Sequence, residues 1–259
     1  MWKNARLDLP HFRQFRRICV GEVMAMVGRL VLRREKGRFR LEKGWLGPLP
    51  ALRAVVHEPE GLAGWRLQRR IRRAERALVR AKAGRVILDA DFPYGDRLAL
   101  LRPVDVLPLR RGCADVLALG ALKAQGIPPE RGRVALSGPR LCLELMEAAE
   151  RLCRQVRGLL IDVPGGEDYA RYLQAKFGLP VNPPAAGADV TAAFGPAGGR
   201  WGRSVELYEG GTLNGLVLCL QEKKLPPDCA EQVLALLWEY GEVKREQLYI
   251  RFAGELNSF

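Results

Sequence analysis

Residues 133–168, RVALSGPRLCLELMEAAERLCRQVRGLLIDVPGGED, decide the fold. Residues 133–137 form a short, mostly apolar run that ends in a Ser-Gly-Pro turn. Leu141, Leu145, Ala148, Ala149 and Leu152 then recur at helical spacing and make one inward stripe. Residues 158–163 are a second run, apolar until Asp162, and Pro164-Gly165-Gly166 opens a further helix. Strand, turn, helix, strand, turn, helix is the βαβ unit of a parallel sheet covered by helices. A strand that is apolar at consecutive positions suits the interior of such a sheet, where both faces are buried. The expected fold is α/β and Rossmann-like: a mainly parallel sheet with helices on both faces, a β-rich N-terminal part and a mixed C-terminal edge.

Upstream, residues 24–60 read as a β-rich segment, and residues 61–259 as one Rossmann-like domain completed by a C-terminal ββαβ segment. Residues 29–34 and 38–42 flank Glu35-Lys36-Gly37 as a hairpin. Residues 52–57 are a third strand, closed by Pro59. Residues 61–83 form a helix, because Leu67, Ile71, Ala74 and Leu78 recur at i, i+4, i+7 and i+11, and Gly84 ends it before a strand at 85–89. A helix is expected over residues 109–125. Tyr169, Leu173 and Phe177 mark another, with Gly178 as its C-cap. The chain closes with strands at 204–208 and 216–221, a helix at 228–240 and a strand at 247–253, all expected to complete or edge the same sheet. Residues 1–23 carry Arg6, Arg13, Arg16 and Arg17 without a helical or alternating period. They are expected to be a basic arm, or an over-extended start ahead of Met24 or Met26.

Composition bounds the function. With 48% hydrophobic and 27% charged residues the chain is an ordinary globular one. No run of 18 apolar residues and no leader-like N-terminus occurs, so a cytoplasmic protein with no membrane span is expected. Six scattered cysteines lack a CxxC pair, and the histidines are His11 and His57, so no metal site is expected and the thiols read as buried and reduced. His57 ends a strand and reads as structural or solvated. Asp89 and Asp91, at the C-terminal end of a strand, suit either a magnesium or acid/base role or the capping of a loop, and no third ligand accompanies them.

The net charge of +13 is unevenly placed. Residues 1–85 hold 22 basic against 7 acidic side chains, whereas residues 86–259 hold 20 against 22. Helix 61–83 concentrates the excess: Arg66, Arg69, Arg70, Arg73, Arg76 and Arg80, with Arg72 and Lys82, surround the apolar stripe, and Glu75 is the single acid. Such a face attracts nucleic acid or an acidic protein. It is equally the solvated outer face of an α/β layer.

The turn Ser137-Gly138-Pro139-Arg140, with Asp162 ending the next strand and ADVTAAFG following a helix that ends in Phe-Gly, resembles the nicotinamide-nucleotide-binding domain of the shikimate dehydrogenase and glutamyl-tRNA reductase families. The resemblance covers residues 133–195 and implies a Rossmann-like domain with NAD(P) at Gly138 and Asp162. Where those families continue the glycine motif, this chain has Arg140 and Leu143, whose side chains obstruct the pyrophosphate and disfavour NAD(P). Their substrate-domain motifs have no counterpart. The wider chain resembles bacterial Rossmann-like proteins, a likeness that implies a fold and no activity.

Arg140 gives the same turn another use. Beside Ser137, Gly138 and Asp162, and with Gly165 and Gly166 opening the next helix, it forms a candidate site for an anionic small molecule or nucleotide. Both turns are also ordinary βα turns that require small residues. No nucleophile elbow, P-loop or metalloprotease motif occurs, so no catalytic residue is assigned and a non-enzymatic binding role is favoured. The alternatives are an interaction module whose basic helix, residues 66–82, binds nucleic acid or an acidic protein, and a degenerate NAD(P)-dependent oxidoreductase.

Overall fold

The computed structural model describes residues 26–89, 91–178, 187–197, 201–221, 225–226 and 229–252, so the arm expected over residues 1–23 lies outside it. The protein is α/β, with six helices among the described residues and two compact units, residues 1–103 and 104–259, each built on a mainly parallel sheet.

In the first unit, β1 (Met26–Arg33), β2 (Arg40–Leu46), β3 (Leu49–His57), β4 (Ala83–Leu88) and β5 (Arg102–Pro103) form a sheet in the order β2-β3-β1-β4-β5. Helix α1 (Gly64–Arg80) connects β3 to β4. Residues 27–32 of β1 are all buried, which suits the sheet centre, and β1 runs parallel to β3 on one side and β4 on the other. The hairpin expected at Glu35-Lys36-Gly37 therefore does not form. The hairpin is β2–β3, turned through Gly47 and Pro48. Gly47 has a φ of +60°, the value a two-residue type II′ loop requires at its first position. The domain boundary expected at residue 61 also moves: α1 and β4 belong to this first sheet, because the edge of β1 left open by β3 is filled by β4.

The stripe read in α1 is the core. Leu67, Ile71, Ala74 and Leu78 pack on Leu30, Leu52, Ala54 and Val56, and a Cβ on Gly28 would come within 3.0 Å of Leu78, so β1 and α1 are in close contact there. Glu75 is also fully buried. Its Oε1 accepts the backbone N–H groups of Ala99, Leu100 and Leu101 at 2.9, 2.9 and 3.3 Å, fixing the segment that leads into β5.

The second unit contains α2 (Leu107–Gly112), α3 (Ala114–Ala124), β6 (Arg133–Ser137), α4 (Leu143–Leu152), β7 (Gly158–Asp162), α5 (Glu167–Phe177), β8 (Val190–Ala193), β9 (Arg203–Glu206), β10 (Leu216–Leu220), α6 (Ala230–Glu239) and β11 (Leu248–Phe252). Four parallel strands run in the order β7-β6-β8-β9, reversing direction of growth at β6 as doubly wound sheets do. Gly178 caps α5 with a φ of +68°, as expected. The helix expected over 109–125 is two helices, α2 and α3, separated at Cys113. The C-terminal segment does not all join the sheet: β9 does, whereas β10 and β11 pair antiparallel with each other. Gly120 explains where β11 goes, since a Cβ there would lie 2.7 Å from Ile250, so the strand rests directly on α3.

Asp115, fully buried at the start of α3, receives Arg245 through Nε at 3.1 Å and through a second contact from Nη2, and Arg151 stands 3.7 Å away. Burial, reinforced by Asp115, pushes the Cys113 thiol up to about 12, and burial, reinforced by Glu150, pushes Cys153 up to about 11. Among the described residues no helix is long and apolar enough to cross a membrane.

Replacing Glu75 by alanine leaves three N–H groups without their acceptor and is expected to lower stability by about 2–4 kcal/mol, read from the urea midpoint. Glu75→Gln keeps an oxygen at that point and should lose less. Iodoacetamide at pH 8 should leave Cys113 and Cys153 unmodified in the folded protein and modify both in denaturant, as peptide mass spectrometry would report.

Candidate functional site

Open α/β sheets bind ligands beyond the C-terminal ends of their parallel strands. In the first unit β1 and β3 end side by side, Arg33 in register with His57. Beyond them lies a cavity of about 370 Å³ lined by Gly37, Arg38, Phe39, His57, Arg70 and Arg73, with no carboxylate in its wall. Its size is that of a small-ligand pocket.

Each wall residue has a local cause. Arg70 follows Leu67 by three positions, at the flank of the buried stripe, so it is half-buried and its Nη1 donates to the His57 carbonyl at the end of β3. Arg73 is exposed one turn further on, its guanidinium carbon 5.1 Å from the centre of the Phe39 ring. Gly37 lies against the imidazole: a Cβ there would be 2.2 Å from His57 Cε1 and 2.4 Å from Nδ1, so a side chain at this position would displace the ring. The His57 Nδ1 atom is buried and has no hydrogen-bond partner among the described residues. Glu58, the next residue, is engaged by the Tyr94 hydroxyl at 2.6 Å. That bond, followed by burial, holds the Tyr94 phenol above its ordinary range.

Three arginines and one imidazole share this wall, with no acid among them. Guanidinium forks match phosphate and carboxylate bidentately, and an imidazole nitrogen adds one further hydrogen bond.

The residues expected to form a site in the second unit are partly brought together. Ser137 and Asp162 are in register, and the Gly138 N–H donates to the Asp162 carbonyl at 3.2 Å. Ser137 is 1% exposed and its Oγ has no partner among the described residues. Arg140 is exposed, and Leu143 stands out at the first position of α4. Between the ends of β6 and β8 the chain packs on itself. The Phe194 N–H donates to the Ser137 carbonyl at 2.7 Å, and a Cβ on Gly195 would lie 2.6 Å from Pro139. Arg111 spans the neighbouring strand ends, donating to the carbonyls of Phe194 and Leu207 at 3.2 and 2.9 Å. Gly165 has a φ of +70°, and a Cβ on Gly166 would meet the Val163 carbonyl at 2.9 Å, so both serve the turn.

Asp89 does not pair with Asp91: its Oδ1 accepts from Arg29 Nε at 2.6 Å, and Asp91 is exposed. Among the described residues no three His, Cys, Asp or Glu side chains stand together as a metal site. The basic helix divides, with Arg70 and Arg73 at the cavity and Arg66, Arg69, Arg76 and Arg80 on exposed surface. Gly37, Arg38 and Phe39 were read only as turn and strand, and the nearest signal to their role is the density of arginine in RREKGRFR.

No family model matches the chain, and no curated protein matches it. Among solved structures it is similar to the L-tryptophan dehydrogenase from Nostoc punctiforme, at 16% identity and a TM-score of 0.29. The match covers 65% of this chain and 56% of that one, so the chain spans little more than half the length of that enzyme. The likeness is too distant to transfer a residue.

Gly37→Val should drive the His57 ring from its place. The expected outcome is a changed environment for the His57 ring protons in NMR spectra, with cooperative unfolding retained because Gly37 is exposed and outside the core.

Proposed function

We propose that the first unit binds a small molecule carrying a phosphate or carboxylate group, held in the cavity at the C-terminal ends of β1 and β3. The observation that carries this reading is the His57 Nδ1 atom, buried without a partner among the described residues, in a wall that includes three arginines and no acid. An unsatisfied buried polar atom costs about 1–3 kcal/mol, and like charges gathered together repel. A bound anion removes the repulsion, and it gives Nδ1 a partner when the imidazole turns toward it. The role is binding, with Arg38 and Arg73 gripping the anion, Arg70 fixing the strand end, and His57 completing the hydrogen bonds. This keeps the ligand class read from the sequence and relocates it from the Ser137–Arg140 turn to the first sheet.

Inorganic pyrophosphate, titrated calorimetrically and by thermal shift, tests the reading, since a ligand of the native state raises its stability by mass action. Pyrophosphate should bind, and Arg38→Gln with Arg73→Gln should weaken binding at least about tenfold, the loss of two charge-assisted contacts, with the melting temperature of the free protein unchanged. Equal affinity in the double variant would refute the site.

A second reading rests on Ser137, at the end of β6, whose buried Oγ lacks a partner among the described residues. There Arg140 and the first N–H groups of α4 would hold the anion. Pyrophosphate binding that survives in the double variant and disappears with Arg140→Ala would assign the ligand to that turn.

A further inference from the structure

The outer face of α1 is a row of cations without carboxylate partners among the described residues. At 3.6 residues per turn, Arg66, Arg69, Arg73, Arg76 and Arg80 fall within about 80° of one another, opposite the buried Leu67, Ile71, Ala74 and Leu78. All five are exposed, and none pairs with a carboxylate among the described residues. The single acid of the helix, Glu75, is buried and committed to the N–H groups of residues 99–101, and the first turn contains no acid. Like charges three and four residues apart weaken a helix by about 0.2–0.5 kcal/mol per pair, so the row works against the element that bears it. From Arg66 to Arg80 it extends about 21 Å along the axis.

At the N-terminal end of this row stands Trp65, 64% exposed, with the Arg66 guanidinium 5.1 Å from its ring centre. Its direction lies about 40° from that of Arg69, so indole and arginines share one surface. An indole in water beside a line of guanidinium forks combines the two parts of a single-strand platform: a ring on which a base stacks, and cations that follow the phosphates. A duplex keeps its base faces paired and stacked inside and would leave Trp65 unused. An acidic peptide would use the arginines and have no base for the ring.

We propose that the exposed face of α1 binds single-stranded nucleic acid, with Arg66, Arg69, Arg73, Arg76 and Arg80 on successive phosphates and Trp65 stacked on a base. The surface shares Arg73 with the small-ligand cavity, whereas Trp65, Arg66, Arg69, Arg76 and Arg80 do not line it.

Fluorescence anisotropy on the full chain tests this, using a labelled thymidine oligonucleotide of about 20 residues, a duplex of the same length and polyglutamate. The single strand should bind most tightly of the three. With four or five phosphates neutralised, its affinity should fall about 100-fold between roughly 50 and 200 mM salt. Arg69→Gln/Arg76→Gln/Arg80→Gln should weaken it at least about tenfold while leaving pyrophosphate binding at the His57 cavity unchanged. Trp65→Ala should weaken it about tenfold and Trp65→Phe much less, a difference that loss of charge cannot produce. Circular dichroism melts of these exposed variants should match the parent. Preference for the duplex or for polyglutamate, undiminished binding by the triple variant, or no binding at about 50 mM salt would overturn the proposal.

Discussion

A carboxylate withdrawn from water must be given its hydrogen bonds by the protein, and much of the first unit depends on how Glu75 receives them. Three consecutive N–H groups converge on one of its oxygens. The contact ties the middle of α1 to residues 99–101 and so to β5. It also sets the rotation of the helix about its axis. With Glu75 inward beside Ile71 and Leu78, the arginines at 69, 73, 76 and 80 have nowhere to point but outward, and Arg70 falls at the margin where it reaches the carbonyl of His57. A turn of the helix by one residue, about 100°, would carry Glu75 to the surface and bring arginine into the core. Hydrophobic stripe and buried acid thus specify one orientation together.

That orientation has an electrostatic result. Acids that would ordinarily be dispersed among the arginines are absent from the cavity wall or already engaged: Glu75 by backbone, Glu58 by Tyr94, Asp89 by Arg29. The positive charge of the first unit is left uncompensated in two places, the concave end of the sheet beside His57 and the convex face of α1. A concave group of cations selects something small enough to enter. A convex row selects something long enough to follow it.

The βαβ region was legible because its signals are local. Apolar runs, turn glycines and helical periodicity each lie within a few residues of what they determine, and β6, α4, β7 and α5 appear close to where the pattern puts them. The stripe of α1 was legible for the same reason. What escaped was set by residues far apart in the chain. Gly37 looks like a hairpin glycine, but its lack of a side chain serves the ring of His57, twenty positions later. The pairing of β1 with β3 and β4, in place of its neighbour β2, follows from burial on both faces, which the sequence displays only once the strands are assembled. Glu75 was visible and underread. It follows Ile71 by four and precedes Leu78 by three, which puts it on the buried stripe, yet among so many arginines it passes for a surface acid. In the second unit, the Ser137–Gly138 turn has the spacing of a ligand loop, and Phe194 and Gly195, more than fifty residues on, occupy the space beside it.

The central position of β1 has a further consequence, in time. Its partners are β3 and β4, both of which follow it in the chain. During synthesis both edges of β1 stay open until residue 57 has left the ribosome, and one stays open until residue 88, which at about 5–20 residues per second is a wait of roughly 3–11 seconds after Arg33. Parallel pairing over such separations is slow to form and exposes apolar edges meanwhile. The charged β2, made during that interval, is not a partner of β1, so the first interaction offered to the waiting strand is β3 arriving from the far side of the hairpin. The order of synthesis and the order of the sheet differ, and until β4 arrives one apolar edge of β1 has no strand to pair with.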